Sequence, residues 1–202
     1  MGKHETSYLR VDRDHYPTPA WPIAALAEHV DLAGHDIWEC AAGSGQMAEA
    51  LKSVGAAHVY CTDIAEYGYP LQALFDFVSP QCLDLPEPHD TISNPPFGLR
   101  GRTAEAFIEA GLRRMSRGGI LAFLLPADFD SAKTRVRFFG DCPAFLAKIV
   151  LTKRIVWFER SDGIREAPKE NSAWYLWSQP DALRIRRPII LYAPELHEER
   201  DG

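Results

Sequence analysis

The chain lacks any run of about 18 uninterrupted apolar residues, the minimum for a membrane-spanning helix, and Met1 to Arg10 is polar and charged. Neither a membrane partner nor an export leader is expected, so the expected location is cytoplasmic. Cysteine is scarce: Cys40, Cys61, Cys82 and Cys142 lie far apart, with no Cys-x-x-Cys pair and no histidine at ligand spacing. Buried free thiols are expected, with no redox pair and no metal site. Internal repeats, low-complexity tracts and Gly/Ser linkers are also missing, which argues for one domain over 1–202. Residues 1–14 read as a polar lead-in segment and 178–202 as a C-terminal tail.

Positive charge is in short supply as well. With 22 Lys and Arg against 28 Asp and Glu the net charge is −6, which on average repels a polyanion. The distribution reverses that reading. Residues 1–94 carry 4 basic against 14 acidic side chains, whereas residues 95–160 carry 12 against 6. A basic middle third in an acidic chain is either a set of solvated helix faces or a surface for phosphate.

What the sequence does contain is an alternation of strand and helix signals. After the proline-rich stretch His15 to Pro22, a helix is expected over Ile23 to Val30, where Pro22 suits a first turn. Strands are expected at Asp36–Glu39, His58–Thr62, Thr91–Ser93 and Gly119–Leu125, with helices at Gln46–Val54 and Thr103–Met115 between them. The unbroken apolar run ending at Leu125 suits a strand covered on both faces. This order predicts a doubly wound α/β sheet. Lys148–Phe158 and Ser172–Trp177 are strand-like with only a polar loop between them, which suits an antiparallel pair better than a crossover.

Two motifs fall where strands end. Trp38-Glu-Cys-Ala-Ala-Gly43-Ser-Gly45 joins a strand to a helix, and its glycines would let backbone N–H groups approach a ligand. Gly43, Gly45 and Ala48 fit the dinucleotide fingerprint, with Asp63 about 20 residues on as a carboxylate for ribose hydroxyls. A tight turn with no ligand, and an ordinary turn carboxylate at Asp63, are the structural alternatives. Both nicotinamide and adenosylmethionine cofactors present such a ribose. Glu39 separates them, since a carboxylate before the turn suits the ammonium of S-adenosylmethionine and repels a pyrophosphate.

The second motif, Ser93-Asn94-Pro95-Pro96-Phe97-Gly98, fixes a rigid backbone in which two positions have no N–H. Carbonyl oxygens and the Asn94 amide remain as acceptors. Such acceptors beside an aromatic face can hold a flat amino group and aim its lone pair at an electrophilic methyl. No cysteine or histidine nucleophile is required. The alternative is a rigid turn with Phe97 in the core.

With these motifs the chain resembles the class I methyltransferases that act on amino nitrogens, especially adenine-specific DNA methyltransferases. The resemblance is good over about 15–126 and looser beyond. It implies that Tyr16, Thr18 and Pro19 close over the methionine end of S-adenosylmethionine. It places Glu39, Ala41, Gly43 and Gly45 in the donor loop, Asp63 on the ribose, and Ile64 on the donor adenine. Asp76 and Phe77 would meet that adenine too; Cys82-Leu-Asp84 is a competing placement that lies close to Asn94. Asn94 and the Pro95 carbonyl would accept hydrogen bonds from the target amine within the Asn94-Pro95-Pro96-Phe97 motif, and Phe97 would stack on a flipped base. The implied fold is a Rossmann-like seven-stranded sheet ending in an antiparallel hairpin, with the aromatics of Asn171 to Trp177 in its core.

Long members of that group carry a separate target-recognition domain, for which the residues after Trp177 leave little room. Target reading would then come from loops, a specificity subunit or a second copy of the chain. Gly98-Leu-Arg100-Gly-Arg102 is the candidate substrate-side loop, ordering on binding, and Lys133, Arg135 and Arg137 on a short helix are candidates for backbone phosphates. The sequence reading is thus methyl transfer to adenine in nucleic acid, DNA favoured over RNA. Its rivals are a protein glutamine-amide methyltransferase, an idle donor-binding regulatory domain and, last, a nicotinamide oxidoreductase.

Overall fold

The structure, a computed structural model, describes residues 16–81, 88–157, 170–178 and 189–193. Helix α1 spans Trp21–Ala27, followed by strand β1 (Asp36–Glu39), helix α2 (Gln46–Ser53) and strand β2 (His58–Asp63). Then come β3 (Ala73–Leu74), β4 (Asp90–Ser93), α3 (Arg102–Arg114), β5 (Ile120–Pro126), β6 (Phe145–Leu151), β7 (Ser172–Ser178) and β8 (Ile189–Ala193). Short 3-10 turns at Leu99–Gly101, Phe129–Ser131 and Lys133–Phe138 fill two of the connections.

All eight strands form one sheet in the order β3-β2-β1-β4-β5-β7-β6-β8. The first five are parallel to their neighbours. β7 runs antiparallel between β5 and β6, as the short polar connection implied. The expected seven-stranded sheet with its antiparallel end is therefore present, and β8 adds a further strand parallel to β6.

Two apolar layers cover the sheet, and the strands' period-two pattern sorts their side chains between them. Ile37, Ala122, Leu124, Trp174 and Leu176 face the layer of α1 and α2, which contributes Ile23, Leu26, Met47 and Leu51. Trp38, Leu121, Phe123, Leu125, Tyr175 and Trp177 face the layer of α3, with Phe107 and Ile108. The β7 aromatics are core, as expected, and their polar tips are satisfied. Trp174 donates to the Pro22 carbonyl at 2.8 Å and Trp177 to that of Phe138 at 2.7 Å.

Boundaries moved where capping, not apolar spacing, decides them. α1 starts two residues before the expected Ile23, because Pro22 occupies its first turn, and it ends at Ala27 instead of Val30. β6 spans Phe145–Leu151, not Lys148–Phe158, because the seven-residue β7 pairs with it from Phe145 onward; residue 158 lies outside the described residues. Cys40 and Cys61 are buried free thiols and Cys142 is a half-buried one, while Cys82 and Asp84 lie outside the described residues. Among the described residues no helix is long and apolar enough to cross a membrane.

One group that could hold a metal ion does occur among the described residues, where none was expected: His35, His89 and Asp90. It lies at the N-terminal ends of β1 and β4. Both imidazoles bring Nδ1 onto the buried Asp90 carboxylate, at 2.7 and 2.8 Å, and the Ile120 N–H donates to it at 2.8 Å. These hydrogen bonds account for the cluster without an ion.

Candidate active site

The opposite ends of the same strands build a cavity of about 240 Å3. β2, β1 and β4 lie side by side and end at Asp63, Glu39 and Ser93. The chain crosses to the other half of the sheet between β3 and β4, which is where doubly wound sheets open a crevice. The cavity wall includes Tyr16, Thr18, Glu39, Ala41, Gly43, Asp63, Ile64, Asp76, Phe77, Asn94 and Pro96. Side chains from Tyr16 to Phe107, 91 positions apart in sequence, thus converge on one space.

Glu39 is buried at the base of this wall. Its Oε1 accepts hydrogen bonds from the Ser93 hydroxyl at 2.5 Å and the Ala41 N–H at 3.1 Å. Burial pushes its pKa up to about 8; the two hydrogen bonds oppose that shift and nearby Asp63 adds to it. A pKa raised to about 8 favours the protonated carboxyl at pH 7, whereas the sequence alone suggests a fixed negative charge. Neighbouring Cys40 also lines the wall, and burial, reinforced by Glu39, holds its thiol well above the ordinary range. No thiolate nucleophile is available there.

The glycine turn is shaped by the residues expected to shape it. Gly43 and Gly45 take positive φ values of 52° and 81°. The Gly43 N–H donates to Asp63 Oδ2 at 2.8 Å, and the Ala65 N–H donates to Oδ1 at 3.2 Å. Asp63 is thus fixed by backbone donors, while each carboxylate oxygen keeps a second lone pair for a ligand hydroxyl. Gly45 caps α2 and does not line the cavity; the Tyr69 ring lies so close that a Cβ would collide with it. Ile64 is 63% exposed beside the cavity, an apolar surface suited to a flat ring. Asp76 accepts the Val78 N–H at 3.1 Å, and Phe77 is buried behind it.

At the end of β4 the Asn94 amide nitrogen donates to the Thr18 hydroxyl at 3.1 Å. The amide oxygen makes no hydrogen bond within the described residues and is left as an acceptor at the cavity wall. Thr18 is buried, so the N-terminal segment is fastened to the second motif. Pro96 lines the cavity, but Pro19, Pro95 and Phe97 do not. Pro95 is buried, and the half-buried Phe97 packs edge-on against Phe129, with ring centres 5.9 Å apart.

The basic residues divide into two groups. Arg100, Arg102 and Lys133 are exposed and pair with no carboxylate among the described residues. Arg135 is different: its side chain is 12% exposed and donates to Glu105 at 2.9 Å, to the Phe129 carbonyl at 3.1 Å and to the Arg100 carbonyl at 2.8 Å. Its guanidinium also lies 3.9 Å from the Phe129 ring centre. Glu105, Phe129 and the Arg100 carbonyl thus hold this guanidinium within the protein. Arg137 pairs with Glu109 at 2.8 Å but stays 56% exposed.

Sequence reasoning missed Tyr67, Phe75, Thr103 and Phe107, all of which line the cavity. The aromatic-glycine stretch Tyr67-Gly-Tyr69-Pro70 directly after Asp63 was the available signal for the first of these.

No protein-family model matches the sequence, and no curated protein matches it. Solved structures do. A proposed class I S-adenosylmethionine-dependent methyltransferase from Listeria monocytogenes superposes with a TM-score of 0.63 at 16% identity, over 93% of this chain and 68% of that one. A proposed RNA methyltransferase from Pyrococcus horikoshii gives 0.63 at 16% identity, over 85% and 91%. A modification subunit of a proposed type I restriction enzyme from Vibrio vulnificus gives 0.60 at 14% identity, over 92% of this chain and 48% of its own. The chain has the Rossmann-like fold of the class I S-adenosylmethionine-dependent methyltransferases.

Proposed function

We propose that this chain transfers a methyl group from S-adenosylmethionine to the exocyclic amine of adenine in a nucleic acid, with DNA favoured. The observation that carries the reading is the position of Asn94 on the wall of the cavity that Glu39 and Asp63 also line, with its amide oxygen free and its nitrogen held by Thr18.

The cavity suits the donor in three respects. Glu39 offers a buried carboxyl that ionises against a cation, Asp63 offers two anchored carboxylate oxygens to ribose hydroxyls, and exposed Ile64 offers a face to adenine. When bound, the donor supplies an electrophilic methyl on a sulfonium, which departs as a neutral thioether when the amine nitrogen attacks the carbon. Asn94 would accept a hydrogen bond from the target amine and, with the Pro95 carbonyl, turn the nitrogen lone pair toward that carbon. The new N–C bond replaces S–C, and one amine proton passes to solvent. Phe97 would stack on the base, Tyr16 and Pro19 would close over the methionine end, and Thr18, which the sequence also assigned there, would hold the Asn94 amide. Asp76 and Phe77 would flank the donor adenine.

Exposed Arg100, Arg102 and Lys133, which follow the Asn94 motif in sequence, support a phosphate-bearing substrate. The names of the Pyrococcus and Vibrio structures point the same way. The test is transfer of labelled methyl to DNA, RNA and protein offered together, followed by nucleoside and peptide mass spectrometry. N6-methyladenine is the expected product. Asn94→Ala should abolish its formation while leaving donor affinity within about twofold, because the lost contact is made to the target. Label on protein amides alone would replace this reading with the glutamine-amide one.

A further inference from the structure

Directly after the Asn94 motif the backbone turns sharply into α3, with Gly101 as the N-cap of that helix. Gly98, Arg100 and Gly101 have positive φ values of 70°, 55° and 78°, and Arg100 is the only non-glycine residue with positive φ among the described residues. A side chain in that region is strained and persists when its surroundings impose it. Arg135 does the imposing: from its half-buried position it donates to the Arg100 carbonyl and is itself held by Glu105 and the Phe129 ring. A Cβ at Gly98 would collide with Thr103, and one at Gly101 with Arg135, so the turn cannot relax by substitution at either glycine.

The result of this bracing is the display of Leu99. It is 65% exposed, an apolar side chain held in solvent and followed in the chain by two exposed arginines, Arg100 and Arg102. It follows Pro96, on the cavity wall, by three residues, so the two Cα atoms are within about 11 Å. Phe97, between them, packs on the Phe129 ring that also carries Arg135. A leucine bears no hydrogen-bonding information, but apolar side chains inserted between base steps unstack them, and cations beside them hold the phosphates.

We infer that Leu99 is a wedge that enters the base stack of duplex DNA as the target adenine leaves it for the cavity, with Arg100 and Arg102 on the flanking phosphates. The inference rests on the nucleic-acid reading above and deepens it by naming the form of the substrate: a paired duplex whose adenine must be extruded. The wedge matters only where a stack must be opened. Single strands need none.

The test compares initial rates of labelled-methyl transfer by wild type, Leu99→Ala and Leu99→Phe on random-sequence duplex DNA and on the same DNA after heat denaturation. Leu99 is largely exposed, so both variants should fold, which circular dichroism checks. Leu99→Ala should lose about tenfold or more on the duplex and stay within about twofold of wild type on single strands, and Leu99→Phe should recover most of the loss. Equal duplex rates for Leu99→Ala and wild type, or equal losses on both substrates, would overturn the wedge while wild-type transfer leaves the adenine reading standing. Wild type acting on single strands alone would also overturn it. Wild type labelling no nucleic acid would remove the reading beneath it and the wedge together.

Discussion

Asn94 and Thr18, 76 positions apart, are joined by a hydrogen bond from the amide nitrogen to the hydroxyl at 3.1 Å. Because the hydroxyl takes the nitrogen side, the amide oxygen is the atom presented to the cavity. Under the proposed reaction Thr18 would act through Asn94 as a positioning residue. Thr18→Val removes the acceptor at nearly constant volume and frees the amide to rotate. Turnover should fall about tenfold, the worth of roughly one hydrogen bond, while donor affinity stays within about twofold. Thr18→Ser should restore turnover. A parallel fall in donor affinity, or no rescue by serine, would place Thr18 elsewhere in the site.

The state of Glu39 makes donor binding depend on pH. Its carboxyl holds a proton below about pH 8, and a bound cation favours the ionised form, so binding releases a proton there. Affinity should therefore rise with pH, by up to about tenfold per unit between pH 6 and pH 7.5, and level off as Glu39 ionises in the free protein. Calorimetry across that range checks it, and Glu39→Gln should weaken binding and flatten the profile. The same shift affects folding with the opposite sign. Between the ordinary 4.5 and about 8 the folded state binds the proton that the unfolded state has lost, so stability falls as pH rises through that window. At pH 8 Glu39→Gln should be more stable to urea than wild type, by up to a few kcal/mol. At pH 4 the two should converge.

At the other end of the strands, Asp90 is fully buried and accepts from His35, His89 and the Ile120 N–H. Asn at this position offers one acceptor oxygen and an amide donor to three facing donors, a mismatch at the N-terminal ends of two central strands that one imidazole can meet only by changing tautomer. Asp90→Asn should lower stability by about 2 to 3 kcal/mol in urea unfolding. Donor affinity of the remaining folded protein should not change, since the cluster is a strand length away from the cavity. A loss of affinity without a loss of stability would contradict this separation.

The residues that were legible in sequence are those whose role is local. Asp36–Glu39 could be bounded correctly because two acidic residues frame the apolar Ile37-Trp38 pair ahead of a glycine turn, and Gly43 with Asp63 because strand length fixes their spacing. β3 has only two residues, too few for any period to show. Arg135 read as a phosphate ligand because charge counting takes no account of Glu105, 30 positions earlier, or of the Phe129 carbonyl and ring. The sequence marks Glu39 at the end of a strand but not its burial, which raises its pKa to about 8. Ionisation depends on burial among neighbours from three strands, which no linear pattern records.

Tyr69 shows the same limit and allows a sharper test. Its ring packs against Gly45, and its hydroxyl donates to Glu49 at 2.6 Å, so α2 is closed at its start by a side chain from the β2–β3 connection. Gly45→Ala meets two penalties: a left-handed backbone worth about 1 kcal/mol, and the collision with the ring. Only the second can be relieved. Gly45→Ala should cost about 2 to 4 kcal/mol in the wild-type background, and clearly less in a Tyr69→Ala background. The double-mutant cycle, read by urea unfolding, should give a coupling above about 1 kcal/mol. Additive costs would mean that the ring moves aside freely and that backbone conformation alone selects glycine at the start of this helix.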